Sequence, residues 1–182
     1  MRFGRFLLPA VLALCALQPS SGFAAVEEAW VPREIRKAAP KFSLRDLEGK
    51  RRQLSELKGK IVVVNFWATW CGPCRTEMPE FTAVHASYRD RGVEFIGAAN
   101  EPRSAKDKVQ EFAASLKVEF PIWLEASADH MEDFGVGAGL PATVIVDQRG
   151  RVAARIMGVT HGEQLRSLLD RLLSETTPSP GR

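Results

Sequence analysis

The sequence predicts an α/β domain in which helices cover both faces of a mixed β-sheet, with a β-hairpin added at its N-terminal side. Three observations carry that reading. Residues 61–67 form a short run of β-branched and aromatic residues, the pattern of a strand buried on both faces. Two further apolar stretches, at 93–99 and 120–124, follow it with helical spacing in between, which gives a βαβαβ order. Two strand-like runs and a leucine-rich amphipathic segment then close the chain.

Taken in order, residues 41–57 read as the hairpin, with Phe42, Leu44 and Leu54 on its strands and Glu48-Gly49-Lys50 in its turn. A helix is expected over 71–89, because Phe81, Val84 and Tyr88 fall on one face. Pro79 lies inside it and should kink it, since proline offers no N–H to the carbonyl of Arg75. Ala105, Val109, Phe112, Ala113 and Leu116 recur at helical spacing and predict a crossover helix. A short helix is expected around 129–134, then a hairpin of strands 142–147 and 151–157 turning at Gln148-Arg149-Gly150. Thr160 and Glu163 stand at capping-box spacing ahead of the last helix, whose Leu165, Leu168, Leu169, Leu172 and Leu173 should face inward.

The ends are of different character. Arg2 and Arg5 followed by an apolar run over 6–17 and the small or turn-prone residues 18–24 have the form of a secretory leader, so residues 1–24 are expected to be removed, with cleavage after Ala25 as a near alternative. The run is too short to span a bilayer, for which about 20 residues are needed, and Pro9 interrupts it. Cys15 raises a lipid-anchor alternative, but Leu14 is bulky where such a motif wants a small residue. Residues 25–38 read as a charged lead-in, 39–175 as the folded domain, and 176–182, with Pro178, Pro180 and Gly181, as a disordered tail. The leader holds two cations and no acid, so the formal charge of +3 falls to +1 without it. That balance gives no reason to expect a nucleic-acid partner.

Without the leader, Cys71 and Cys74 are the remaining cysteines. In an exported protein disulfides persist. A staple between residues three apart closes too small a loop to stabilise much, so the pair is expected to be reactive. Residues 67–74, Trp-Ala-Thr-Trp-Cys-Gly-Pro-Cys, place it where a buried strand runs into a helix. Positions i and i+3 of a first turn share a face, and Pro73 is tolerated there. Cys71 falls at the positive end of the helix dipole, which favours thiolate and marks it as the nucleophile.

These residues identify a resemblance to the thioredoxin superfamily, and within it to the periplasmic, membrane-associated or secreted branch of the TlpA, ResA and CcmG type. It rests on Ala39-Pro40-Lys41-Phe42-Ser43-Leu44, on Asn65 through Arg75 with Glu77-Met78-Pro79, and on Gly139-Leu140-Pro141-Ala142-Thr143. The resemblance implies a thioredoxin-like fold and thiol-disulfide exchange, with Cys71 attacking and Cys74 resolving. It implies a cis bond at Leu140-Pro141, a loop there that meets an extended substrate segment, and Trp70 shielding the sulfurs. Asn65 stands where cytosolic thioredoxins carry a buried aspartate, and Glu77 resembles the acid of the periplasmic branch. Glu77 is expected either to handle the proton of Cys74 or to be an ordinary solvated helix residue.

Gly72-Pro73 between the cysteines, with no neighbouring cation, suits a reductant of protein disulfides. No bound cofactor or resident metal is expected. The resemblance also implies a periplasmic location, a membrane electron donor of the DsbD or CcdA kind, and substrates such as apocytochrome c thiols or copper-site cysteines. Two other chemistries compete. A copper(I) carrier would use the same two sulfurs, with Met78 near in sequence. A peroxiredoxin-like peroxidase is suggested by the Ala-Pro-x-Phe-x-Leu segment, but Thr69 stands two residues before Cys71 where that family places a threonine three before. One Cys-x-x-Cys is half a zinc ligand set. His85, His130 and His161 are read as structural or surface residues, and Trp123 as packing.

Overall fold

The computed structural model describes residues 29–176; the leader and the tail beyond Thr176 lie outside the described residues. Seven strands form one sheet: β1 (Ser43–Asp46), β2 (Arg51–Gln53), β3 (Ile61–Trp67), β4 (Val93–Ala99), β5 (Ile122–Leu124), β6 (Ala142–Val146) and β7 (Val152–Met157). Their spatial order is β2-β1-β5-β4-β3-β6-β7. The helices are α1 (Gly72–Tyr88), α2 (Lys106–Ser115), α3 (Ala128–Phe134) and α4 (Gly162–Thr176). This is the expected mixed sheet with helices on both faces, and no helix among the described residues is long and apolar enough to cross a membrane.

The centre of the sheet is parallel. β3 pairs β4 from Ile61 opposite Val93 to Trp67 opposite Ala99, and β4 continues parallel into β5. All seven residues of β3 are buried, which explains why the strand is apolar on both faces with no alternation, Asn65 being its one polar side chain. Ile61, Val63 and Trp67 join α1, α2 and α4 in one apolar layer, while Val62, Val64 and Phe66 meet α3 and the hairpin residues Phe42, Leu44 and Leu54 in the other. Asn65 therefore points to the α1 side, opposite Gly97 on β4 and Thr143 on β6. Gly97 leaves little room there: a Cβ would stand 3.0 Å from the Trp67 indole nitrogen and 3.1 Å from Phe120, so those rings would have to give way.

Two local expectations change. Residues 54–57 close the hairpin as a 3₁₀ turn, so β2 is only three residues, and its exposed Arg51 and Gln53 make a poor template for further pairing. The start of α4 is not capped by Thr160, whose hydroxyl donates to Thr143 Oγ1 at 3.2 Å; the Gly162 N–H instead donates to the Glu80 carboxylate of α1. The lead-in is also more than a connector. Val31 N–H donates to Ala153 O at 2.8 Å and Val152 N–H to Lys37 O at 2.9 Å, so residues 29–38 lie along the β7 edge. Arg36 fastens them by a bidentate pair with Glu175 at 2.7 and 2.8 Å, and the Trp30 ring carries the Arg36 and Arg171 guanidinium groups at 4.6 and 4.1 Å.

Candidate active site

β3 ends at Trp67, the chain turns through Ala68–Trp70, and α1 begins with Cys71 as its N-cap residue. Cys71 and Cys74 are joined as a disulfide with Cα atoms 5.3 Å apart. The Cys74 N–H donates to Cys71 Sγ at 3.2 Å, so the sulfur takes up one of the free N–H groups of the first turn. That donor and the dipole both favour negative charge on Cys71 once the bond is reduced. Cys71 is 5% exposed and Cys74 fully buried, so Cys71 is the slightly more accessible of the two. Trp70, expected to shield the pair, stands 66% exposed and outside the apolar layer that holds both cysteines.

The turn before Cys71 is held by a residue the sequence reading missed. Glu101, just beyond β4, is buried and accepts from the Thr69 N–H at 3.0 Å and from the Thr69 hydroxyl. The pairing of Trp67 with Ala99 places the two segments side by side, so a strand alignment was the signal that would have found it.

Glu77 lies one turn beyond Cys74 and is fully buried, which removes the solvated-residue reading. Its Oε1 accepts from Asn65 Nδ2 at 2.7 Å and its Oε2 from the Thr160 N–H at 2.9 Å. Burial pushes its pKa up to about 7, partly offset by those two hydrogen bonds, with the nearby Glu80 charge adding to the rise. The acid thus has neutral donors and no cation in direct contact, and it stands half-way between its two protonation states near neutral pH. Asn65 Nδ2 also reaches Thr143 Oγ1 at 3.3 Å, leaving Asn65 Oδ1 buried without a hydrogen-bond partner.

Leu140 and Pro141 are brought to the same end of the sheet, immediately before β6, and the bond between them is cis. Leu140 is half-buried against both apolar layers and Pro141 is buried. The Pro141 carbonyl accepts from the Gly158 N–H at 2.9 Å, tying this loop to the one after β7. Met157 at 74% and Val159 at 36% exposure flank that contact, so apolar side chains stand beside it in solvent. Met78 is buried in the core and serves packing, which leaves the copper reading with the two sulfurs alone. His85 is buried among Phe95 and Phe120, His130 caps α3 with Ser127, and His161 is exposed beside Glu80. Among the described residues no group of three or more His, Cys, Asp or Glu is placed to hold a metal ion.

Comparison with known proteins agrees with this geometry. The model of the AhpC/TSA family matches residues 35–155. The thiol-disulfide oxidoreductase ResA of Bacillus anthracis is 36% identical over 170 residues, which cover 91% of this chain and 96% of the relative. ResA of Geobacillus thermodenitrificans is 36% identical over 135 residues, 74% of this chain and 75% of that one. Among solved structures, a thiol:disulfide interchange protein of the thioredoxin family from Chlorobium tepidum superposes with a TM-score of 0.65 at 30% identity, covering 76% of this chain and 97% of its own. The thioredoxin domain of a thiol-disulfide oxidoreductase from Bacteroides vulgatus gives a TM-score of 0.66 at 25% identity, covering 75% and 96%. The chain belongs to the AhpC/TSA family, as a thioredoxin-fold thiol-disulfide oxidoreductase.

Proposed function

We propose that the protein works outside the cytosol as a reductant of protein disulfides, with Cys71 as the attacking and Cys74 as the resolving sulfur. The observation that carries the reading is the Cys71–Cys74 disulfide at the start of α1 with the buried Glu77 one turn behind it. In the dithiol form the Cys71 thiolate attacks a substrate disulfide, one substrate sulfur leaves as thiolate, and a mixed disulfide forms. Cys74 then gives its proton to the Glu77 carboxylate and attacks Cys71 Sγ. The second substrate sulfur leaves with the bonding pair, so the substrate gains two electrons and the Cys71–Cys74 bond is restored. A pKa of about 7 suits Glu77 to take that proton and pass it on. Substrate would lie along the Leu140-Pro141 loop beside Trp70.

The leader pattern in residues 1–24 supports a periplasmic protein that begins near Ala25 or Val26, and intact mass of the exported form would show this directly. An unprocessed or acylated N-terminus would replace it with a membrane-anchored form. A reductant in an oxidising compartment needs re-reduction, for which a membrane donor of the DsbD or CcdA kind is the fitting partner, with cytochrome c maturation or copper-site assembly as its destination.

Titration against a defined thiol buffer tests the reading. A reversible two-electron couple nearer to about −270 mV than to about −120 mV is expected for a donor of electrons. Stoichiometric copper(I) binding without reduction of any protein disulfide would favour the carrier.

A further inference from the structure

Four buried polar groups from four parts of the chain close into a ring behind Cys74. Asn65 on β3 donates to Glu77 Oε1 at 2.7 Å and to Thr143 Oγ1 at 3.3 Å. The Thr160 hydroxyl donates to Thr143 Oγ1 at 3.2 Å, and the Thr160 N–H returns to Glu77 Oε2 at 2.9 Å. Asn65 is 1% exposed and the other three are fully buried. Thr143 is two residues beyond Pro141, and Thr160 is two residues beyond Gly158, whose N–H holds the Pro141 carbonyl. The ring therefore anchors the Leu140-Pro141 loop and the 158–160 segment tied to it, and its single ionisable member is Glu77.

We propose that Asn65, Thr143 and Thr160 are positioning residues that convert protonation of Glu77 into loosening of these two loops, so that the proton given up by Cys74 during resolution also releases the reduced substrate. The inference rests on the assignment of Glu77 as the acceptor of that proton. The physical reason is that an ionised carboxylate accepts from an N–H more strongly than a protonated carboxyl does. While Glu77 is charged, the Thr160 N–H and the Asn65 amide are both well held, and with them the 158–160 segment and the start of β6. Once Glu77 is neutral, the Thr160 N–H keeps only a weak acceptor in a place closed to water, and the segment is held less tightly. Charged neighbours of Glu77 are Glu80 on α1, which raises its pKa, and His161 before α4, which lowers it; Arg166 on α4 acts on Glu80. β3 and β6 present only the neutral Asn65 and Thr143. The sulfurs of Cys71, the N-cap of α1, and of Cys74 in its first turn titrate only when reduced.

The test measures KM and kcat separately for reduction of insulin disulfides, with a small dithiol as electron source, across the neutral pH range. In the wild type KM should rise roughly 3- to 10-fold as pH falls through the Glu77 titration, the scale of one weakened hydrogen bond. Glu77→Gln should make KM independent of pH. Thr143→Val should hold KM near the wild type's acidic value at all pH, without altering the pH profile of thiol alkylation, and Thr143→Ser should restore wild-type behaviour. Independently of any variant's stability, the Thr160 amide signal in the ¹⁵N–¹H spectrum of the oxidised wild-type protein should move with the Glu77 carboxyl. A flat wild-type KM, an immobile Thr160 amide, or failure of Thr143→Ser alongside Thr143→Val would overturn the coupling. A KM that follows Glu77 while kcat and thiol alkylation ignore it would keep the coupling and reject Glu77 as the acceptor of the Cys74 proton.

Discussion

The two ends of β6 each meet a buried carboxylate, and the two are in opposite electrostatic states. Beyond the end of β6, Asp147 accepts from the Arg149 and Arg151 N–H groups at 2.9 and 3.0 Å and pairs with the guanidinium groups of Arg151 at 2.8 Å and Arg36 at 3.4 Å. Burial alone would push its carboxyl up, but the Arg151 and Arg149 N–H groups and the Arg151 guanidinium outweigh it and hold the pKa below the ordinary value. Near the start of β6, Glu77 meets Asn65 and the Thr160 N–H, and burial wins. Asp147 is a fixed charge that fastens the lead-in and the β6–β7 turn. Glu77 is an acid whose charge can change at neutral pH. Burial is common to both; the presence of a paired cation decides which becomes a fastening and which a proton carrier.

Stability measurements sharpen that contrast. The largest effect is expected from Asp147→Asn, which takes the charge partner from the Arg151 guanidinium and from the Arg36 Nη1 contact, Arg36 keeping Glu175. It should cost about 3 kcal/mol, a fall of roughly 6 to 12 °C in Tm, with thiol-disulfide exchange unchanged. Because the folded pKa of Asp147 is lowered, its stabilisation is present above the unfolded value and is lost as pH falls through the folded one. A loss of exchange activity in this variant, or no loss of stability, would break the assignment.

For Glu77 the sign is reversed. A folded pKa of about 7 against 4.5 means that the folded state holds the proton more tightly, so stability falls as pH rises from 4.5 to about 7. The difference amounts to about 3 kcal/mol at full ionisation. Glu77→Gln removes this slope, and Asn65 Oδ1 supplies an acceptor for the new amide once the Asn65 side chain turns over. The variant should therefore gain on the wild type as pH rises, while the pH dependence of disulfide reduction loses its inflection near neutrality. Stability curves that run parallel across this range would mean that Glu77 is not held as a high-pKa acid.

How much of this was legible in the sequence depended on the distance between partners. Residues 61–67 and 93–99 matched β3 and β4 at both ends, because a strand buried on both faces announces itself as a mostly apolar run, broken here only by Asn65 and Glu94. The Cys71–Cys74 pair and its place at a helix start were readable as a local motif, whereas the cis Leu140-Pro141 bond was expected only through the family resemblance. What stayed hidden has partners far along the chain. Glu101 and Thr69 are 32 residues apart, Glu77 and Thr160 are 83 apart, and Arg36 and Glu175 are 139 apart. A glutamate on a helix carries the same letter whether it faces water or lies under a disulfide. Glu80 of α1 caps the start of α4 from 82 residues away, and Thr160 gives its hydroxyl to Thr143 instead.

The division of labour between the two sulfurs is the claim on which the mechanism stands, and trapping tests it most directly. Cys71 keeps the more accessible sulfur and the N–H donor that favours its thiolate, whereas Cys74 is sealed behind it and reaches only a bond its partner has formed. Cys74→Ser should accumulate mixed disulfides with substrate proteins through Cys71, because nothing remains to resolve them, and Cys71→Ser should trap almost none and lose reductase activity. Equal trapping by both variants, or adducts formed through Cys74 alone, would contradict the account.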